Sequence, residues 1–173
     1  MEFTSERLLY RSYTQADFEF LFSMLSDPEM VRYIGSGNIR DEQGAKAFLD
    51  WIYSHYQMNK EYGLKVIVRK EDNVAVGHAG IVPQNINGKN ELEIGYWIAK
   101  EFWGNGYASE AAKAFIDRGE NQLGINRFIS LIQSKNQASR KIASKNGMKL
   151  EEQVLLKGKD VCIYSYVCKD NDF

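Results

Sequence analysis

The chain has 173 residues, 44% of them apolar and 13% aromatic, and its 22 Lys and Arg against 23 Asp and Glu leave a net charge of −1. That length suits one domain spanning residues 1–173, large enough to bury a core without disulfides or metals, and two prolines with no low-complexity tract or internal repeat leave no obvious linker. The balanced charge disfavours nucleic-acid binding, which needs a basic excess to neutralise phosphates.

The first residues, MEFTSERLLY, carry acids where a signal peptide carries a basic head and an apolar run. No stretch approaches the length of a membrane span, so a cytoplasmic location without membrane contact is expected. RLLYRSY reads as a first strand, after which Thr14 caps a helix with Phe18, Leu21, Phe22 and Leu25 at helical spacing. A restart follows at Asp27, with Pro28 in the first helical position. Asp41 then opens a further helix with Ala45, Phe48, Leu49, Ile52 and Tyr56 on one stripe.

The middle of the chain is β. GLKVIVRK, VAVGHAGIVP and ELEIGYWIA, joined at EDN and by a polar loop QNINGKN, read as an antiparallel meander. A Gly-x-Gly turn leads into a helix from about Tyr107 to Leu123, with Ala108, Ala111, Ala112, Phe115 and Ile116 on one face and Gly124 as its stop. RFISLIQ, a short helix QASRKIASKN ended by Gly147, and the strands KLEEQVLL and DVCIYSYVC complete the order β-α-α-β-β-β-α-β-α-β-β. Cys162 and Cys168 stand about 20 Å apart on an extended strand and read as reduced core residues. His55 and His78 read as structural, and no Cys or acid at ligand spacing supports a metal site.

The stretch WGNGYASEA carries the chemistry. Glycines at 104 and 106 permit a sharp turn and close ligand approach, and the helix start beyond them offers unpaired amides at a positive dipole end, which suits a pyrophosphate. The plainer reading is a strand-to-helix connection. A dinucleotide fingerprint fits poorly, because Ser109 occupies the third glycine position and RFISLIQ ends without an acid for a ribose. NGKN lacks the upstream glycine and final Ser or Thr of a P-loop.

From SERLLYRSYTQAD through EIGYWIAKEFWGNGYASEA and NQASRKIASKNGM to DVCIYSY, the chain resembles the GNAT acetyltransferase superfamily, in the branch of the ribosomal-protein N-terminal acetyltransferases. The resemblance implies a mixed α/β fold, a central, mostly antiparallel twisted sheet flanked by helices. It places the pyrophosphate motif Q/R-x-x-G-x-G/A on Trp103, Gly104, Asn105, Gly106, Tyr107 and Ala108, with Ser109 next on the helix, and Trp103 departs from Gln or Arg. Backbone amides would grip the phosphates. Asn136, leading the last helix, matches the family's second signature and is equally a good N-cap.

The tyrosine that in many relatives stands seven residues after that asparagine is Ala143, and the fifth-strand glutamate of others is Leu131. Ser139, three residues after Asn136, matches the serine of the N-terminal acetyltransferase branch; it reads as a hydrogen-bond donor to the departing thiolate or as a capping side chain. Glu91 and Glu93 share a strand face with Trp97, and Glu93 is the candidate base, its alternative a solvated face or a structural hydrogen bond. A backbone N–H around Ile98 is the family's usual stabiliser of the thioester oxygen.

The implied activity is direct transfer of acetyl from acetyl-CoA, without a metal, to a primary amine on a protein N-terminus or a small molecule. The loops YIGSGNIRD and LLKGKDV would shape the acceptor mouth, and Asp160 and Tyr164 match a family pattern beside the latter. A non-catalytic CoA-binding or interaction module with the same fold is the alternative, and an oligomer is compatible with either.

Overall fold

The computed structural model describes residues 2–168. Its elements run β1 (Glu2–Thr4), β2 (Leu8–Ser12), a 3-10 turn (Gln15–Asp17) leading into α1 (Phe18–Leu25), α2 (Pro28–Val31), α3 (Glu42–Met58), β3 (Gly63–Arg69), β4 (Val74–Ile86) and β5 (Lys89–Ile98). A second 3-10 turn (Lys100–Phe102) precedes α4 (Tyr107–Leu123), followed by β6 (Arg127–Gln133), α5 (Gln137–Lys145), β7 (Lys149–Leu156) and β8 (Lys159–Val167).

One eight-stranded sheet has the order β1-β2-β3-β4-β5-β6-β8-β7. Neighbours are antiparallel except β5 and β6, which are parallel. Two cores flank it. Leu8, Tyr10, Ile67, Ile94 and Phe128 pack with Ala111, Ala112 and Phe115 of α4 on one face. Tyr13, Val66, Val68 and Val82 pack with Leu21, Leu25, Leu49 and Ile52 of α1 and α3 on the other.

Local signals account for most boundaries. Asp41 accepts the Gly44 N–H at 2.8 Å and starts α3, and Asp27 accepts the Glu29 N–H at 2.8 Å before Pro28 starts α2. Thr14 and Asp17 form a capping box ahead of α1. Two elements differ from the sequence reading. The three-residue β1, too short to carry a periodic pattern, pairs with β2 through Phe3↔Tyr10. The expected loop QNINGKN is instead a hairpin: Asn87 and Gly88 take φ of 51° and 84°, the signature of an Asn-Gly turn that matches strand twist, so β4 and β5 continue up to it. Pro83 is tolerated because β3 begins opposite Ile81, so that among the described residues no strand pairs with Pro83 on that side.

The sheet splits between its two parallel strands. Among the described residues β5 and β6 share one registered pair, Glu93↔Ile129, and diverge beyond it. Ser130 Oγ donates to the Ile94 carbonyl at 2.8 Å and closes the base of the fork.

Candidate functional site

A cleft of about 720 Å³ occupies the fork. It passes through the sheet, bounded on one side by the turn before α4 and by α5, and on the other by α2 and the turn after it. Ten of the residues singled out from the sequence line it together: Glu93, Ile98, Trp103, Gly104, Gly106, Tyr107, Ala108, Ser109, Asn136 and Ser139. Asn105 is the exception. Its amide turns back to the carbonyls of Phe102 (2.9 Å) and Trp103 (3.2 Å), so it shapes the turn from within.

The turn has the geometry of an anion cradle. Gly104 and Gly106 both hold φ of 78°, which a Cβ disfavours, and Gly106 is the residue from which α4 springs. The Glu110 N–H reaches the Gly106 carbonyl at 3.1 Å, which leaves the amides of Tyr107, Ala108 and Ser109 as the unpaired first turn of the helix. Among the described residues no atom lies within 4 Å of where a Cβ on Gly104 would stand.

Trp103 and Arg7 brace that turn. The Trp103 indole N–H donates to the Ile98 carbonyl at 2.7 Å, tying the turn to the end of β5, a task that needs no Gln or Arg at this position. Arg7 donates to the Asn105 carbonyl at 2.9 Å and to Glu110 at 2.8 Å, and its guanidinium lies 4.7 Å from the Tyr107 ring centre. Burial works against the charge on Glu110, but hydrogen bonds from Ser5 and Arg7 outweigh it and hold its pKa below the ordinary value. Arg7 escaped the sequence reading because its partners stand about a hundred positions away; no local pattern announces it.

Ile98 borders the fork with its backbone. The Ala99 N–H bonds the Val76 carbonyl at 2.8 Å, so the alternating N–H of Ile98 points to the opposite edge of β5, into the fork. Beside it, Asn136 caps α5 by accepting the Ser139 N–H at 3.2 Å, and its amide donates to Ser139 Oγ at 3.0 Å. Cap and candidate donor are therefore one unit: Asn136 occupies a lone pair of Ser139 Oγ and leaves its O–H available to donate. Tyr96, not singled out from the sequence, also lines the cleft and donates to the Ser139 carbonyl at 3.0 Å. Burial raises its pKa, so it stays protonated at neutral pH.

On the other face, Glu93 bridges the split. Its Oε2 accepts from Gln84 Nε2 at 2.7 Å on β4, and its Oε1 accepts from the Leu131 N–H at 3.4 Å on β6. Burial raises its pKa above the ordinary glutamate value, against the opposing effect of those two donors. Glu91 is differently placed: Arg127 and Lys89 hold it as an ion pair, at 3.0 and 2.9 Å, and the Arg127 hydrogen bond lowers its pKa.

The mouth is narrower in origin than expected. Tyr33 and Ile34 of the first loop line the cleft, and Gln133 Nε2 donates to the Gly35 carbonyl at 3.0 Å. Among the described residues none from 155–161 lines it, because β7 and β8 run straight to a tight turn at Lys157 and Gly158. Asp160 is occupied by Ser134 and Gln153, and the buried Tyr164 hydroxyl accepts from Arg140 at 3.2 Å. His78 is fully buried away from the cleft and His55 bonds the Trp51 carbonyl at 2.9 Å.

Residues 7–149 match the model of the acetyltransferase (GNAT) domain. YnaD of Bacillus subtilis (strain 168), described as an uncharacterized N-acetyltransferase, is 33% identical over 156 residues, covering 87% of this chain and 84% of YnaD. The crystal structure of a GNAT-family acetyltransferase from Bacillus anthracis is similar at a TM-score of 0.80 and 26% identity, covering 96% of this chain and 98% of the other. RimL, described as a ribosomal L7/L12 alpha-N-protein acetyltransferase in complex with coenzyme A, shares the fold at a TM-score of 0.80 and 20% identity, covering 96% and 98%.

Proposed function

Since this chain belongs to the GNAT acetyltransferase family, whose members draw acetyl from acetyl-CoA, we propose that its cleft delivers that group to a primary amine, with a peptide N-terminus as the favoured acceptor class. The observation that carries this reading is the fork itself. It joins an anion cradle and two hydroxyls on one face of the sheet to a carboxylate with a raised pKa on the other. The preference for a peptide N-terminus rests on the shared fold with RimL, described as an α-N-protein acetyltransferase.

In this reading the amides of Tyr107, Ala108 and Ser109 hold the pyrophosphate of the donor, and the thioester lies across the fork. The Ile98 N–H stabilises charge developing on the carbonyl oxygen. An amine arriving from the α2 side is largely protonated at neutral pH, with a pKa of about 8 at a chain terminus. Glu93 accepts its proton, directly or through water, and the freed lone pair forms the N–C bond. The adduct's nitrogen sheds its second proton to water, the C–S bond breaks with its electron pair on sulfur, where Ser139 Oγ–H donates a hydrogen bond, and the thiolate takes up that proton through water. Ser139 is too weak an acid to do more than this. Orientation of the two reactants supplies most of the acceleration.

The test is calorimetric titration with acetyl-CoA beside NAD, followed by CoA-release assays with a peptide bearing a free N-terminal serine, spermidine and free lysine. Binding of acetyl-CoA alone and turnover with the peptide are expected. No binding would overturn the reading, and binding without transfer to any amine would assign the chain to the non-catalytic alternative.

A further inference from the structure

The Glu93 carboxylate is held from β4 as well as from its own strand. Gln84 stands opposite Glu91 in the β4–β5 ladder and reaches diagonally to Glu93, whose direct partner is Val82. An ionised carboxylate only accepts hydrogen bonds, so the Gln84 amide presents its NH₂ to it, at 2.7 Å. Leu131 N–H meets the other oxygen from β6. The carboxylate is thus fixed on both sides of the point where the sheet opens. Among the described residues Gln84 does not line the cleft, and its side-chain hydrogen bond goes to Glu93.

We propose that Gln84 is a positioning residue for the transfer: its amide orients the Glu93 carboxylate into the fork and sets how readily that group takes the proton of the incoming amine. This rests on the reading of Glu93 as the base. The charged groups around Glu93 leave this role to a neutral donor. Glu91, on the same face of β5, is bound to Arg127 and Lys89, and Tyr96 lies on the opposite face of that strand. Across the cleft, Glu29 is paired with Lys100, Arg32 lies against the Tyr33 ring, and Lys141 and Lys145 project from α5. Among the described residues none of these cations is paired with Glu93. Burial disfavours the ionised form of Glu93, and one strong neutral donor favours it without locking the carboxylate into an ion pair.

The experiment compares the wild type with Gln84→Met, which keeps the length and removes the donor, and Gln84→Lys, which supplies a charged one. The readouts are the side-chain carboxyl titration of Glu93 by carbon-13 NMR, assigned with Glu93→Gln, and the pH dependence of kcat with acetyl-CoA and the serine-initiated peptide. In Gln84→Met the Glu93 titration and the acid limb of kcat should both move up by about one pH unit, the worth of one hydrogen bond to a charged group. In Gln84→Lys both should move down, while acetyl-CoA affinity stays the same in each. Nonspecific damage would shift the two variants alike; opposite shifts are the signature of the proposal. A Glu93 titration unmoved in Gln84→Met would overturn it. Failure of the underlying reading is separate and appears as undiminished turnover in Glu93→Gln.

Discussion

Acidification from pH 7 to pH 4 should cost the fold about 3 kcal/mol at His78 alone. The imidazole is fully buried on β4, its Nδ1 is 2.7 Å from the Tyr13 hydroxyl, and its Nε2 has no partner among the described residues. Rings surround it, with the Trp97 centroid at 4.6 Å and that of Phe48 at 6.2 Å. A second proton would place a charge there without an acceptor or solvent, and burial accordingly pulls the pKa from 6.5 to about 3. Because the folded value lies below the unfolded one, the unfolded chain takes up the proton first as pH falls. The contribution of neutral His78 is complete above pH 6.5 and is lost towards pH 3 at up to about 1.4 kcal/mol per pH unit. Urea unfolding followed by tryptophan fluorescence at pH 7, 5.5 and 4.5 should therefore show a steeper acid loss for the wild type than for His78→Gln. Asp17, Glu91 and Glu110, whose pKa values are lowered, also titrate in acid, but they are common to both proteins and cancel in the difference. Any hydrogen bond lost by Tyr13 in the variant offsets its curve without tilting it. Parallel curves would refute the assignment of a buried neutral histidine.

Ser139→Ala is expected to lower CoA release about 10- to 100-fold, the worth of a hydrogen bond to a charged group, with acetyl-CoA affinity by calorimetry unchanged; undiminished turnover would remove Ser139 from the mechanism. Gly106→Val forces a β-branched residue into φ of 78° at the head of α4, at a cost of about 1–3 kcal/mol, and should weaken acetyl-CoA binding by at least about tenfold. Equal affinity would argue against phosphate at this turn. Arg7→Ala removes the guanidinium from the Asn105 carbonyl and from Glu110, which keeps its bonds from Ser5 Oγ and the residue 7 N–H, and should raise the dissociation constant for acetyl-CoA by about 3- to 10-fold, with little change in thermal stability. Gly119→Ala places a Cβ 2.2 Å from Phe128 Cζ, in a ring that is 0% exposed; this clash exceeds the gain in helix propensity of about 1 kcal/mol and should lower stability by about 1–2 kcal/mol in urea unfolding.

What could be read in the chain beforehand was whatever depends on neighbours in sequence. The Gly-x-Gly turn, the alanine-rich face of α4 and the Asn136–Ser139 spacing are local patterns, and the fold brings them to one cleft. The pieces that escaped need a distant partner to acquire meaning. Ser130 sits in RFISLIQ as an ordinary polar position until β5 lies beside it and offers the Ile94 carbonyl. Tyr96 is one more position of the strand ELEIGYWIA until α5 docks and offers its hydroxyl an acceptor 43 positions later. Trp103 broke the family pattern for a reason visible only in three dimensions, since its indole caps the strand that delivers the turn. One miss was legible: Asn87-Gly88 announces a two-residue hairpin by itself.

The split of the sheet lets the proposed sulfur donor and the proposed base occupy different walls. Alternation along β5 sends Tyr96 and Ile98 to the α4 and α5 face and Glu93 to the α2 face, while the backbone between them borders the gap. The donor proposed for the leaving sulfur and the acceptor proposed for the amine proton therefore lie on opposite sides of one strand, with the Ile98 N–H between them. Had β5 and β6 stayed paired beyond Ile129, their ladder would have consumed that N–H and closed the passage. Ser130 and Glu93 hold the strands together only at the base of the fork, and this limited contact lets a continuous sheet keep an opening wide enough for two reactants.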